Sequence, residues 1–381
     1  MTPMYRSRID RVRARMRELG VDVLLVSVGA DLPYLTGYEA MPLERLTMLV
    51  VTPAERGAVL VVPRLEEAAA KAGLGVDIPI FTWGEPWAPS RDPYKVIMGM
   101  LVGPTGHASP RVAVSDRLWA SHLLRLQAAL PGARFEPAST VLKELRMIKD
   151  ADEIDALRRA ARAADRVITA ISHGRLVGRS EADVAREVRD RLVAEGHQTA
   201  EFAIVASGPN SASPHHQASA RIIAAGEPIV LDIGGVLDGY ASDTTRTIWV
   251  TGGDTSRGPD DAFLEIFGLV REAQSEATAV ARPGTPCERV DEVARAIISA
   301  GGHGERFFHR TGHGIGLEGH EDPYLVAGNV LPLEPGMAFS VEPGIYIEGR
   351  YGVRIEDIVV CTSSGPVALN EAPRELLVVD G

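Results

Sequence analysis

The sequence has little of what membrane-bound, secreted or nucleic-acid-binding proteins require. Only two cysteines, Cys287 and Cys361, occur in 381 residues, and they lack CxxC spacing, which favours a reduced protein of the cytoplasm over a disulfide scaffold. No apolar run reaches the length of a membrane-spanning helix, and the basic segment 1–20 lacks the apolar centre of a secretion signal. The formal net charge of −11 argues against a basic surface for nucleic acid or anionic lipid.

A common metal motif is also missing, because HExxH, the helix-borne pattern of many zinc proteases, does not occur. Histidines are nevertheless concentrated in the segment FFHRTGHGIGLEGHEDPY, residues 307–324, which holds His309, His313 and His320. Their spacing alone does not distinguish a metal site, a catalytic site and a glycine-rich loop. A metal site here must therefore take further ligands from other parts of the chain.

The pattern of apolar residues divides the chain into two domains. In residues 1–140, a helix that ends near Gly20 is followed by strand-like segments, which predicts a small α/β domain. These β-branched segments lie at 21–27, 46–52, 57–63 and 111–115. Residues 141–381 begin with an amphipathic helix that Asp150 or Asp152 can cap. The helices and strand hairpins that follow predict an α+β domain.

The segment PIVLDIGGVLDGYASDTTRTIWV, residues 228–250, has an Asp-Gly turn at its centre, which is a strong signal for a β-hairpin. A two-residue turn that begins at Asp238 makes Asp232 face Thr245, and Asp243 then lies diagonally across on the same face. Two neighbouring carboxylates repel each other unless a cation or a shared proton lies between them. A single aspartate most often binds loop amides, but this pair in apolar surroundings indicates a cation. Asp238 belongs to the turn and is assigned no chemistry.

A second hairpin is predicted in MAFSVEPGIYIEGRYGVRIEDIVV, residues 337–360. Glu342 and Glu356 are equidistant from Gly349, so a hairpin centred there places the two glutamates opposite each other, or one position apart if the register slips. Arg354 lies two residues before Glu356 on the same face, and a salt bridge between these two residues is the alternative to a metal site in this hairpin. That pairing would leave Glu342 uncompensated in an apolar strand, which is costly.

Together the two hairpins offer two aspartates and two glutamates, and one histidine can complete the set. Oxygen donors with one imidazole suit Mn²⁺, Co²⁺, Fe²⁺ or Zn²⁺ better than Ca²⁺. Four carboxylates exceed the needs of one ion, whereas two ions about 3.5–4 Å apart would use all of them. The residues therefore indicate a dinuclear metal site.

Five residues, in their order and with their neighbours, resemble the metal ligands of the pita-bread dinuclear metallopeptidases, a clan that includes methionine aminopeptidase, aminopeptidase P and prolidase. They are Asp232 in LDIGG, Asp243 in SDTTR, His313 in TGHGIG, Glu342 in VEPGIY and Glu356 in RIED. The resemblance covers residues 150–381 through these motifs and the amino-terminal domain more loosely. It implies a creatinase-like α/β amino-terminal domain followed by an α+β pita-bread catalytic domain.

The resemblance implies a role for each ligand. Asp232 would bind one ion with both oxygens, and Asp243 and Glu356 would bridge the two ions. His313 and Glu342 would complete the second ion. A hydroxide that bridges the ions would be the nucleophile, and Glu342 would act as general base and acid. The implied cofactor is a pair of divalent ions, with Mn²⁺ expected first and Co²⁺ or Zn²⁺ as alternatives.

The resemblance also implies roles around the metals. His215 would be a catalytic and substrate-binding histidine, and His320 would bind substrate and stabilise the tetrahedral intermediate. His309 would line the pocket for proline. Arg354 would orient Glu356 from behind. His216 matches no family role and is expected at the surface.

A separate amino-terminal domain favours the proline-specific branch, whose members cleave between an amino-terminal residue and a following proline. Some prolidases have an arginine four residues after the position of His320. Here that residue is Tyr324, a candidate for substrate binding that weakens the expectation of strict dipeptide specificity. An Xaa-Pro dipeptidase is therefore expected first, and an Xaa-Pro aminopeptidase (aminopeptidase P) that acts on longer peptides second. The resemblance further implies a cytoplasmic homodimer with peptide substrates and without nucleic-acid or membrane partners.

Two functions without peptidase chemistry are more remote. Creatinase uses the same architecture for C–N hydrolysis without metals, and a scaffold protein could retain the fold without any catalysis. Both would have lost metal ligands, whereas all five are present here. The sequence therefore favours the metallopeptidase over either alternative.

Overall fold

The first helix ends at a glycine, as the sequence predicts. In the computed structural model, which describes residues 3–55, 57–84, 92–102 and 109–381, helix α1 spans Pro3–Leu19. The next residue, Gly20, has a φ of 67°, in the left-handed region that glycine adopts without steric cost. The chain can therefore turn at once into strand β1, Val23–Ser27.

The amino-terminal unit, Met1–Arg146, is built on one six-stranded mixed sheet. Its further elements are α2 (Asp31–Thr36), β2 (Met48–Val51), β3 (Ala58–Pro63), α3 (Glu67–Gly73), β4 (Ile80–Trp83), α4 (Pro93–Val102), β5 (Arg111–Val114), α5 (Ala120–Ala129), β6 (Arg134–Pro137) and α6 (Ser139–Met147). The strand order is β4-β3-β2-β1-β5-β6, with β1 antiparallel to β2 and parallel to β5. All four predicted strand segments are confirmed as β1, β2, β3 and β5. The α/β class of this unit is confirmed as well.

The second unit, Met147–Gly381, begins at the end of α6, whereas the predicted division after residue 140 falls inside that helix. Helix α7, Ala151–Ser172, then starts with a capping box. Asp150 Oδ1 accepts a hydrogen bond from the Glu153 amide, and Glu153 Oε2 accepts one from the Asp150 amide, both at 3.0 Å. Asp150, rather than Asp152, is therefore the cap, because it satisfies a free amide of the first turn.

The second unit contains two sheets and a separate short hairpin. After α7 its elements are α8 (Glu181–Ala194), β7 (Thr199–Ser207), β8 (Glu227–Leu237), β9 (Tyr240–Val250), α9 (Asp261–Val280), α10 (Cys287–Ala300), β10 (Gly312–Gly314), β11 (Glu321–Leu325), β12 (Ala338–Val341), β13 (Gly344–Ile347), β14 (Tyr351–Arg354), β15 (Asp357–Thr362), β16 (Gly365–Ala368) and β17 (Leu377–Val379). The sheets have the orders β17-β9-β8-β7 and β11-β10-β12-β15-β16, and β13 pairs with β14.

Each of the two sheets of the second unit packs against a pair of helices. The apolar faces of α7 and α8 pack on the sheet that contains β8 and β9. Helices α9 and α10 form a second apolar cluster with strands of the other sheet. Cys287 and Cys361 are both buried in this second cluster. Among the described residues, no helix has both the length and the apolar composition that crossing a bilayer requires.

Candidate metal centre and active site

The β8–β9 hairpin has the predicted register. Asp238 and Gly239 have φ angles of 52° and 79°, which are the two positive values of a type I′ turn. As a consequence Asp232 pairs with Thr245, and Asp243 lies opposite Gly234. Both aspartates are buried. The turn chemistry therefore places two carboxylates side by side in the interior of the unit.

The second hairpin also has the predicted register, but it is divided between two sheets. Gly344 pairs with Arg354 in β13–β14, and Val341 pairs with Asp357 in β12–β15. Pro343 lies between β12 and β13, and proline has no N–H to donate to a strand partner. At this break Glu356 forms an isolated bridge with Thr245, which joins the two hairpins.

The structure brings the five predicted metal ligands together. Their ligand atoms form overlapping groups, and within each group all of these atoms lie within 4.8 Å of one another. The groups are Asp232–Asp243–Glu356, His313–Glu342–Glu356 and Asp243–His313–His320. Among the five ligands only Glu342 is partly exposed, and the others are buried. The cluster is therefore closed on most sides and opens past Glu342.

Two details of hydrogen bonding fit divalent cations. His313 Nδ1 lies 3.1 Å from the Gly314 carbonyl oxygen, so in the neutral ring Nδ1 carries the proton and Nε2 keeps its lone pair. That lone pair faces Glu342 Oε1 at 3.3 Å and Asp243 Oδ2 at 3.7 Å. Asp232 Oδ1 is buried and has no hydrogen-bond partner among the described residues. His313 Nε2 and Asp232 Oδ1 therefore have lone pairs with which they would coordinate a metal ion.

The electrostatics of the cluster also favour cations. Burial raises the pKa of Asp243 well above its usual range, and the charges of Glu356 and Asp232 raise it further. Burial followed by the charge of Glu342 raises the pKa of Glu356 in the same way. Two divalent ions would remove both the repulsion and the desolvation cost.

The alternative salt bridge between Arg354 and Glu356 is not formed. Arg354 Nη2 lies 2.6 Å from Asp232 Oδ2, and Glu356 Oε2 accepts instead from the Thr245 hydroxyl at 2.7 Å. The bridge between Thr245 and Glu356 brings the two hairpins into contact, so Arg354 reaches a carboxylate of the other hairpin. The expectation that Arg354 orients Glu356 is therefore wrong, because the carboxylate that Arg354 holds is that of the candidate ligand Asp232.

A hydrogen-bonded chain connects Arg354 to His309 through Tyr346, which the sequence reasoning missed. Arg354 Nη1 donates to the Tyr346 hydroxyl at 2.8 Å, and that hydroxyl lies 3.0 Å from His309 Nε2. His309 Nδ1 lies 2.8 Å from the Arg310 carbonyl, so in the neutral ring Nε2 is the acceptor and Tyr346 donates to it. Burial raises the pKa of Tyr346 to about 12, which keeps the phenol protonated. A buried tyrosine hydroxyl needs a polar partner, and that requirement is the signal that could have identified Tyr346.

His320 is held in the tautomer that an oxyanion donor needs. Arg310 Nη2 lies 3.1 Å from His320 Nδ1, and because a guanidinium only donates, the proton of the neutral ring is on Nε2. Burial, then the charges of His313 and Arg310, lower the pKa of His320 to about 4. The ring is therefore neutral at pH 7 and presents an N–H to the site. Its centroid lies 3.8 Å from that of His313, which places this donor beside the metal ligands.

The ligands line a cavity of about 750 Å³. Its further described lining residues are Phe202, Ile204, Ser213, Pro214, His215, Phe308, His309, Arg310, His320, Tyr346 and Arg354. His215, His309 and His320 thus all face the cavity, as expected for residues that bind substrate. Tyr324 is not among the lining residues, and its ring packs under Arg310, whose guanidinium carbon lies 4.4 Å from the ring centroid. The structure therefore gives no support to a direct substrate contact by Tyr324.

Glu181, at the start of α8, anchors the segment that carries His215, and sequence reasoning missed it. Its buried carboxylate accepts hydrogen bonds from Ser207, Asn210, His216 and Ser219 at 2.7 to 3.1 Å. The expectation that His216 lies at the surface is wrong, because its ring is partly buried with Nε2 2.8 Å from Glu181. The donors are separated from Glu181 in sequence by 26 to 38 residues, so no local sequence pattern predicts this contact.

Glu181→Gln is expected to destabilise the protein by about 2–4 kcal/mol, because an amide cannot accept all of these hydrogen bonds. We also expect kcat/KM for a peptide to fall by about 10- to 100-fold with unchanged metal content, since His215 loses its support. Urea unfolding and steady-state kinetics measure the two effects. Glu187→Gln on the same helix, whose carboxylate pairs with Arg179 and Arg191 near the surface, is the control and should cost less than about 1 kcal/mol.

The same substitution should also make the free energy of unfolding less dependent on pH in the acid range. Burial raises the pKa of Glu181, but the hydrogen bonds from Ser207, Ser219 and His216 lower it overall from 4.5 to about 2. A carboxylate with a lowered folded-state pKa stabilises fully above about pH 4.5 and loses that contribution as the pH falls toward 2. A Glu181→Gln protein whose unfolding free energy declines over this range as steeply as the wild type would contradict this account.

The fold and the site together place the chain in a known family. Residues 155–363 match the model of metallopeptidase family M24, and residues 8–148 match the creatinase/prolidase N-terminal domain. The chain belongs to metallopeptidase family M24, and its two units have the creatinase-like and pita-bread folds of that family. The predicted fold class is thus confirmed.

Individual relatives are similar over almost the whole chain. A protein of Mycobacterium tuberculosis named probable dipeptidase PepE is 44% identical over 99% of this chain and 97% of its own length. The Xaa-Pro dipeptidase of Lactobacillus helveticus is 33% identical over 97% of this chain and 98% of its own. The crystal structure of a prolidase from Thermococcus sibiricus superimposes with a TM-score of 0.90 at 36% identity, covering 99% of both chains.

Proposed function

We propose that this protein is a metal-dependent peptidase that hydrolyses the bond between the first residue and proline in Xaa-Pro dipeptides. The observation that carries the proposal is the buried cluster of five ligands at the wall of a cavity that also holds a neutral histidine donor. The relatives named as dipeptidase, Xaa-Pro dipeptidase and prolidase support the substrate class. The presence of all five ligands disfavours a metal-free hydrolase or a scaffold.

The chain's own residues supply the remaining chemistry. Two divalent ions, held by the five ligands, would polarise the scissile carbonyl and make a water acidic enough to ionise near neutral pH. Glu342, the partly exposed candidate ligand, is placed to take a proton from the attacking water and pass it to the leaving nitrogen. His320 Nε2–H can donate to the oxygen of the attacked carbonyl. His309, fixed by Tyr346, forms a wall for the proline ring, and His215 lines the opening.

Manganese is our first expectation for the ions, because carboxylate oxygens with a single imidazole suit it, and Co²⁺ or Zn²⁺ remain alternatives. We further propose that the protein acts in the cytoplasm, which is supported by the presence of only two cysteines, without CxxC spacing, in 381 residues. The homodimer stays a prediction, and light scattering of the purified protein would give the molar mass that tests it.

A panel of Ala-Pro, Ala-Pro-Ala and Ala-Ala-Ala, assayed with added Mn²⁺ or Co²⁺, tests the proposal. Hydrolysis of Ala-Pro alone is the expected result. Cleavage of Ala-Pro-Ala at a comparable rate would replace it with aminopeptidase P activity, and equal activity on Ala-Ala-Ala would refute proline specificity. A purified protein without transition metal that neither ion activates would overturn the metallopeptidase assignment.

A further inference from the structure

Two arginines line the cavity, and their surroundings differ. Arg354 is buried and engaged with Asp232, the Tyr346 hydroxyl and the Pro214 carbonyl. Arg310 is half-buried, and within the described ranges no carboxylate lies within ion-pair distance of its guanidinium. Its N–H donors are used only in part, and the one that is used faces His320 Nδ1. Arg310 is therefore a positive group of the cavity wall whose charge no described side chain neutralises.

The guanidinium of Arg310 is nevertheless held in place. It lies over the ring of Tyr324, with 4.4 Å between the guanidinium carbon and the ring centroid. Tyr324 is itself fixed in β11, where it pairs with His313 of β10. The stacked arrangement immobilises the planar group and leaves its edge, where the N–H donors lie, available to a ligand. Little conformational entropy is then lost when an anion binds.

Arg310 lies near the place that the free carboxylate of a bound dipeptide would occupy. This carboxylate is the charge next to the scissile bond that a longer peptide lacks. Arg310 contacts His320, whose ring lies against that of the metal ligand His313, so its guanidinium lies one side chain away from the metal cluster. In an Xaa-Pro dipeptide the free carboxylate is attached to the proline carbon next to the scissile nitrogen. A carbonyl bound at the cluster therefore brings this carboxylate into the neighbourhood of Arg310.

We propose that Arg310, stacked on Tyr324, binds the free proline carboxylate of the substrate and so determines a preference for dipeptides. The inference rests on the proposed Xaa-Pro peptidase activity. A guanidinium and a carboxylate form a bidentate, charge-assisted pair, whereas the amide that follows proline in a longer peptide offers one neutral acceptor. Tyr324 then contributes to specificity as the platform for Arg310 and not by touching the substrate.

The test compares Ala-Pro with Ala-Pro-amide, which differ only in the charge at the proposed contact. The wild type should prefer Ala-Pro, and Arg310→Met should lower kcat/KM for Ala-Pro by about 10- to 100-fold, mainly through KM, with a much smaller change for Ala-Pro-amide. Arg306→Met, the same substitution at an exposed position nearby, should preserve the preference. Tyr324→Leu should weaken the preference in the same direction as Arg310→Met but less.

The possible outcomes separate the inference from the activity on which it rests. Equal loss on both substrates in Arg310→Met would mean that Arg310 acts only through His320, and the inference would be overturned. A wild type that cleaves both substrates with equal kcat/KM overturns it even if Arg310→Met does not fold. A wild type that cleaves neither substrate overturns the proposed activity, and this inference with it.

Discussion

Asp243→Asn is expected to lower kcat/KM by about 10³-fold or more and to abolish the stabilisation of the protein by added metal. Asp243 belongs to two of the three groups of ligand atoms, so losing its charge weakens the hold on both ions. The effect is large because the ions supply several kcal/mol of transition-state stabilisation. A bound ion at about 100 times its dissociation constant stabilises a protein by about 2.7 kcal/mol. Thermal unfolding with and without Mn²⁺, together with metal analysis after dialysis, measures this loss.

The metal-free form should respond in the opposite sense. Without cations, burial raises the pKa of Asp243, and repulsion by Glu356 and Asp232 raises it further. The neutral amide removes that repulsion, so the metal-free variant should be at least as stable as the metal-free wild type. A purely structural role for Asp243 would instead make the variant less stable with and without metal.

Asp238→Asn is the matched control in the same hairpin. Asp238 lies in the turn, forms an exposed ion pair with Arg159, and has a positive φ that asparagine also tolerates. This variant should retain activity and metal-dependent stability. If Asp243→Asn behaves like Asp238→Asn, the assignment of Asp243 as a ligand is wrong.

Glu342→Gln is expected to lower kcat by about 10²- to 10⁴-fold, the range for removing a general base. Glu342 is the one of the five ligands that is partly exposed, and its Oε1 lies 3.3 Å from the Ser340 hydroxyl. The amide keeps the volume of the side chain but cannot accept and return a proton. Steady-state kinetics at saturating Mn²⁺, with the metal content of each sample measured, would separate this loss from a loss of metal.

Glu348→Gln provides the comparison, because Glu348 is exposed at the turn of the same hairpin. It should leave kcat unchanged. A Glu342→Gln enzyme with full metal content and wild-type kcat would refute the role of Glu342 in proton transfer. A variant that loses both metal and activity would support Glu342 as a ligand but would not support the proton-transfer role.

Local chemistry explains why both hairpins could be predicted. The Asp238–Gly239 turn allows one register, and that register alone places Asp232 and Asp243 on one face. The symmetry of the second hairpin about Gly349 likewise predicts its pairing. Its division between two sheets was not predicted, because the partner of Glu356 at the break is Thr245, a residue 111 positions away in the sequence.

The sequence by itself predicts the five candidate metal ligands. It also determines the register of the hairpins that carry four of them and the α/β class of the amino-terminal unit, because turn residues and alternating patterns act over short distances. The partners of buried charges were decided only by the tertiary structure. Arg354 pairs with Asp232 across 122 residues, and Glu181 gathers donors from a distant loop. Arg310 owes its place on Tyr324 to the pairing of β10 with β11. A buried charge selects the partner that the fold brings within hydrogen-bond distance, and a nearby residue in the sequence has no advantage once that contact exists.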